Sequence, residues 1–325
     1  GGVAPVGYDS LTFGTNGALR LSNSNDYVAT QFSGITFAND GVYTLNGNAV
    51  NLVGTVANNS TNVQTINLPL VLDGGGRFFN CASNSIIVNG IISESGGSFG
   101  VNKTGVSALT LNGVNTFTGP TVVWDGMLTI GGAGQLNSGA YSAAIPLVAA
   151  TSVLRFDSSA GQTLSGIVSG YGFIVKTNSG SLTLTGASAY SGGTTIGNNS
   201  GPVTGAVNTA QNALGTGPVS VGAGSTLQVN NTSTAAGPVT IGNAFNGAGL
   251  LNLVFAAGAA ARNTYMSNVT NFTGTIRLSS AGANGDKWNV PGVNAPGAAR
   301  VIDDGSQLFV YNPAASFGGG LSLIG

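Results

Sequence analysis

Of 325 residues, 54 are glycine, only 19 carry a formal charge, none is histidine, and 42% are hydrophobic; the net charge is −1 and the mean hydropathy +0.28. An average soluble domain is about 25% charged and about 7% glycine, so the ion-pair-rich surface of such a domain is excluded, and so is charge-driven disorder, which needs low hydropathy and high net charge. Nine lysines and arginines scattered along the chain cannot form the phosphate-neutralising stripe that nucleic acid demands, and no nucleic-acid partner is expected. Collagen is excluded because glycine does not fall at every third position. The most apolar run, from Leu250 to Ala261, is interrupted by Asn252 and Gly258 and is about half the length a membrane-spanning helix needs, so no membrane span is expected. The single cysteine, Cys81, cannot make an internal disulfide.

Glycine, serine, threonine, asparagine and valine all rank low in helix propensity, and the chain reads as all-β. Runs of alternating character predict short strands at Ala18 to Leu21, Val42 to Leu45, Ser85 to Val88, Leu109 to Leu111, Met127 to Ile130, Leu182 to Leu184, Val219 to Val221, Leu227 to Val229 and Thr275 to Leu278. Clusters of Gly, Asn, Ser and Asp separate them and supply turns.

Internal repeats decide the architecture. Lys103-Thr104, Leu109-Thr110-Leu111, Gly113, Phe117-Thr118-Gly119 and Thr121 realign without a gap, at one constant offset, on Lys176-Thr177, Leu182-Thr183-Leu184, Gly186, Tyr190-Ser191-Gly192 and Thr194. Shorter pieces recur at Phe32-Ser33-Gly34 and Phe272-Thr273-Gly274, and a second motif at Gly217-Pro218-Val219 and Gly237-Pro238-Val239. The close spacing of the latter two predicts successive turns of a solenoid. Coils of about 20 to 25 residues bury their inward Val, Ile and Leu only by stacking on one another, so the predicted fold is a right-handed parallel β-helix of roughly a dozen or more coils, one elongated solenoid over residues 1–325. Asn, Thr and Ser at equivalent places are expected to form hydrogen-bonded ladders. A β-sandwich array is the alternative, but its repeat would lie near 100 residues.

The segments 103–132 and 176–196 resemble the passenger-associated repeat of bacterial autotransporters, and Ala213 to Val229 is similar to another common passenger segment. That resemblance implies a parallel β-helix exported to the bacterial cell surface or the extracellular space. It names no ligand. Gly1-Gly2 would suit a mature end left by signal cleavage, and nothing after residue 280 resembles the membrane barrel that ends an autotransporter.

Candidate chemistry is sparse. The carboxylates are Asp9, Asp26, Asp40, Asp73, Glu94, Asp125, Asp157, Asp286, Asp303 and Asp304, most in turn-like settings. Glycoside hydrolysis usually needs two of them across one cleft. Asp303-Asp304 would face opposite ways on a strand, and Asp73-Gly74-Gly75-Gly76-Arg77 reads as a corner turn. No histidine triad can be built, and zinc would have to be held by one cysteine and scattered carboxylates; Cys81 reads as a small buried hydrophobe. No catalytic, cofactor-binding or metal-binding residue is therefore assigned, and no cofactor is expected. Gly131 to Gly134 is followed by no helix and is no phosphate loop. Glycosylation at the Asn-x-Ser/Thr triplets Asn59, Asn102, Asn231, Asn268 and Asn271 carries little weight. Trp124, Trp288, Tyr265 and Tyr311 are candidates for stacking on sugars, whereas Phe117 and Tyr190, being repeat-equivalent, are expected to be corner packing.

The expectation is a non-enzymatic extracellular structural protein, a filament, layer or matrix subunit that associates with copies of itself head to tail, with residues 1–10 as an N-terminal arm or cap and 280–325, including Leu321 to Gly325, as a cap or polymerisation edge. An adhesin passenger binding a surface ligand such as cell-surface polysaccharide is the alternative; a polysaccharide lyase or hydrolase ranks below both.

Overall fold

A computed structural model describes residues 5–14, 21–28, 30–208, 211–233, 238–255, 263–280, 287–290, 300–304 and 307–310. Among the described residues, apart from one 3-10 turn, Asn137–Gly139, every element is a strand, and all but one of the recorded strand pairings are parallel. Contacts divide the chain into two compact units, Gly1–Gln162 with Gly170–Gly172, and Thr163–Ser169 with Phe173–Gly325. Each is a stack of parallel coils, a β-solenoid; together they hold about 11 turns, close to the dozen expected.

In the first unit, strands Thr44–Gly47, Gln64–Ile66, Ile86–Val88, Ala108–Leu111, Met127–Gly132 and Val153–Ser158 pair in sequence to make one face. Strands Gln31–Phe37, Val50–Asn58, Arg77–Asn80, Val101–Thr104, Val122–Val123 and Ile145–Leu147 make a second. The long strand Val50–Asn58 bends between faces: its first residues pair with Leu70–Asp73, which pairs on with Ile92–Ser95, and its last with Arg77–Asn80.

Period-two alternation explains which residues enter the core. Leu45, Ile66, Val88, Leu111, Ile130 and Phe156 oppose one another in consecutive coils, and all are buried. Full burial of each such side chain contributes about 1.5–3 kcal/mol, so the stack gains by each added coil. In the second unit Leu182, Val203, Leu227, Leu251 and Ile276 form the same kind of column. Its neighbour column runs Leu184, Gly205, Val229, Leu253, Leu278, and the side chain of Leu214 fills the space that Gly205 leaves.

Coils differ in length: Thr129 pairs with Thr110 one coil back and with Arg155 one coil on, and the second of these steps takes up distinctly more chain than the first. Two expectations need correction. The two Gly-Pro-Val motifs lie on neighbouring strands of successive coils, Val219–Val221 and Pro238–Gly247, but are not in register, because Val219 opposes Phe245 while Val239 opposes Thr264. The strand Pro238–Gly247 is ten residues long with register irregularities after Ile241, so it takes up more chain per coil than the motif spacing suggests. Finally, Phe32-Ser33-Gly34 lies inside the strand Gln31–Phe37 beside a register shift, whereas Phe117-Thr118-Gly119 lies outside any strand; the short piece is not a further copy of the corner. The predicted strand at Ala18 to Leu21 falls largely outside the described residues, as do Gly1 to Ala4 and Leu321 to Gly325.

Candidate functional site

The most unusual chemistry lies where the two long repeats turn. The whole chain has three lysines, Lys103, Lys176 and Lys287, and two of them are buried at equivalent repeat positions, with 0% and 1% exposure. A buried ammonium is tolerated only when its donors are satisfied. Lys103 Nζ donates to the carbonyls of Thr104 at 3.0 Å, Gly105 at 2.7 Å and Asp125 at 3.0 Å. Lys176 Nζ donates to the carbonyls of Thr177 and, at 2.7 Å, Asn178. Each lysine thus gathers the carbonyls of a chain turning from one sheet to the next, Val101–Thr104 into Ala108–Leu111 and Phe173–Lys176 into Leu182–Leu184. At the first corner Gly105 and Gly126 have φ of +79° and +65°, and a Cβ on Gly105 would meet the Cys81 carbonyl at 2.5 Å, so glycine is required there.

Cys81 lies fully buried beside this corner. Burial pushes its thiol up to about 11, against the opposing pull of the Lys103 charge. Burial likewise draws Lys103 below the ordinary lysine range, with Cys81 and Asp125 opposing. A thiol so suppressed is no nucleophile at neutral pH.

The same repeat places a buried threonine opposite a tyrosine hydroxyl. Tyr190 Oη and Thr194 Oγ1 are 2.6 Å apart within the second copy. In the first copy the aromatic is Phe117, which has no hydroxyl; Thr121 Oγ1 instead pairs with Tyr141 Oη from the next coil at 2.8 Å, and Phe117 packs edge-on against Tyr141 with ring centroids 6.1 Å apart. Phe117 and Tyr190 are both buried, as corner packing requires.

An outward ladder of amides climbs the first unit. Asn112 Nδ2 donates to Asn89 Oδ1 at 2.7 Å, Asn89 to Asn67 at 2.7 Å, Asn67 to Asn46 at 2.8 Å, and Asn46 to Ser22 Oγ at 3.2 Å. Gly131 occupies the position opposite Asn112 in the next coil, and the ladder stops there.

The carboxylates are dispersed. Asp40 accepts from Thr61 Oγ1 at 2.8 Å, Asp73 from Gln31 Nε2 at 2.5 Å, Asp9 from the Val6 N–H at 2.8 Å. Asp125 Oδ1 accepts from Thr151 Oγ1 at 2.6 Å and the Gly126 N–H at 2.7 Å, and these bonds hold its carboxyl below the usual range. Glu94 and Asp157 are not turn residues: they sit in strands Ile92–Ser95 and Val153–Ser158. Burial opposes the charge on Glu94, but the Thr118 hydroxyl and the Phe99 N–H outweigh it. Asp157 lies 3.6 Å from Arg155. Asp73 to Arg77 is a turn with left-handed Gly74, and Arg77 Nε donates to the Leu52 carbonyl at 2.8 Å. Among the described residues no group of three or more Cys, Asp and Glu could hold a metal ion, and no helix is long and apolar enough to cross a membrane. Asp286 and Tyr311 lie outside the described residues, as do the side chains of Trp288, Asp303 and Asp304. Trp124 and Tyr265 are exposed.

Stacked parallel coils with two lysine-clamped corners define a β-solenoid. The Passenger-associated-transport-repeat family matches residues 101–130 and 174–199, the two corners just described. Over 131 residues the chain is 28% identical to "Adhesin BmaC autotransporter" of Brucella suis biovar 1 (strain 1330), a stretch that is 40% of this chain and only 4% of that adhesin's length. No solved structure matches significantly. Two short segments of the chain thus match the passenger-associated transport repeat, and that likeness points to export to the bacterial cell surface.

Proposed function

We propose that this chain is a non-catalytic, adhesive passenger segment that presents its long side faces to a ligand at the bacterial surface. The observation that carries the reading is the similarity to an autotransporter adhesin, together with the two segments that match the passenger repeat. Among the described residues the carboxylates of Asp40, Glu94 and Asp125 are engaged by local hydroxyl or N–H donors, which supports a role without acid–base chemistry. Beads coated with the full chain are expected to be retained on cell or polysaccharide surfaces above albumin-coated beads. Equal retention would contradict the adhesive reading, and release of reducing ends or unsaturated uronates from polysaccharides would contradict the non-catalytic one.

A second reading is self-association through the strand edges of the parallel stack, to which a second copy can add strands. Sedimentation showing a concentration-dependent series of polymers of this chain would support it; a strict monomer at all concentrations would contradict it.

A further inference from the structure

One corner of the first unit carries a row of exposed apolar side chains. The Trp124 N–H donates to the Lys103 carbonyl at 2.9 Å, the Val148 N–H to Val123 at 2.9 Å and the Tyr171 N–H to Leu147 at 2.8 Å. These bonds stack Trp124, Val148 and Tyr171 at equivalent places of three successive coils, with exposures of 46%, 36% and 69%. Val106, 71% exposed, stands on the turn of the coil before. Successive strands are about 4.8 Å apart, so the two aromatic positions lie roughly 10 Å from each other along the stack.

We propose that this stripe binds a neutral, hydroxyl-rich glycan chain lying along the coil axis, with sugar rings stacked on Trp124 and Tyr171. The inference rests on the adhesive reading and names its ligand class. Stable protein interfaces bury about 1,200–2,000 Å², and a stripe one side chain wide, on a corner that also carries the small polar residues Thr104, Ser107 and Thr151, is too narrow for that; it suits a ribbon-like polymer. The apolar C–H face of a pyranose is attracted to the electron-rich face of an aromatic ring. Charge points the same way. Corner segments 104–107, 124–126, 148–152 and 171–172 contain no lysine or arginine, and their one charged residue is Asp125. Asp125 already accepts the Thr151 hydroxyl at 2.6 Å, so it welcomes hydroxyl donors and repels polyanions.

The test is calorimetric titration of the full chain with cellohexaose, chitohexaose and maltohexaose, and with polygalacturonate as the charged control. At least one neutral hexasaccharide is expected to bind, Trp124→Ala and Tyr171→Ala each to weaken it by about tenfold, Trp124→Phe to restore most of the affinity, and Tyr265→Ala to leave it unchanged. All variants must melt cooperatively like the parent. Absence of binding by all three neutral sugars, preference for polygalacturonate, or unchanged affinity in well-folded W124A and Y171A would each overturn the proposal. If bead retention survives in the W124A/Y171A double variant, the stripe falls and the adhesive role stands. If the parent binds a hexasaccharide but its beads are not retained, the adhesive role falls and the stripe stands.

Discussion

The two copies of the passenger repeat solve one problem with different parts. Both must bury a lysine and a threonine where the chain turns between sheets. In the second copy the repeat's own aromatic, Tyr190, answers Thr194; in the first, Phe117 cannot, and Tyr141 of the following coil answers Thr121. What is kept is therefore a satisfied buried hydroxyl, and a neighbouring coil can supply the partner when the repeat does not. A solenoid permits this because each coil meets the next along its whole length.

Substitution of either lysine removes the donors from a cluster of buried carbonyls and should have the largest effect. Lys103→Met and Lys176→Met are each expected to lower unfolding stability by about 3 kcal/mol, read by urea titration. Next, Thr194→Val leaves Tyr190 Oη without the partner it has in the fold and should cost about 2 kcal/mol. Thr121→Val should cost about half as much, because Tyr141 Oη also donates to the Gly119 carbonyl at 2.5 Å. Equal costs would dissolve the distinction between the copies. Alkaline titration probes the first corner alone. The Cys81 thiol is raised from 9.0 to about 11 on folding, so between those values the unfolded chain loses a proton that the folded chain keeps. Cys81 therefore makes stability fall as pH climbs through that window. Lys103, lowered on folding, acts in the opposite sense as pH approaches the ordinary lysine value. Cys81→Ala should accordingly remove a downward slope above pH 9, and iodoacetamide at pH 8 should alkylate folded Cys81 about a hundredfold more slowly than the unfolded chain. The smallest effect belongs to the amide ladder: Asn89→Ala breaks two rungs and Asn112→Ala one, about 1 and 0.5 kcal/mol in denaturant titration.

Much of this was legible in the chain. Alternation located strands such as Leu182–Leu184 and Val219–Val221, because a half-buried strand must alternate, and repeat equivalence marked Phe117 and Tyr190 as interior packing. Abundant asparagine foretold amide ladders but not which four residues join, since that depends on register. Register was the hidden quantity. Coils as unequal as the two that flank Met127–Gly132 defeat any fixed spacing, which is why the Gly-Pro-Val motifs sit on neighbouring strands yet out of register and why the alignment of Trp124, Val148 and Tyr171 emerges only from backbone pairing. The buried lysines did leave a signal: in a chain with three lysines, two recur at the head of the repeat, each followed by threonine. Lysine is so seldom buried that the pattern reads first as surface charge.

Both corners stand or fall with their lysine clamps, and nitrogen-15 spectra of the lysine side chains put those clamps to the sharpest test. Lys103 and Lys176 should give separate ammonium signals with slow proton exchange at neutral pH, with that of Lys103 titrating below the ordinary lysine range. Fully exchange-averaged signals from both, with ordinary titration of Lys103, would show that the corners are not held as described.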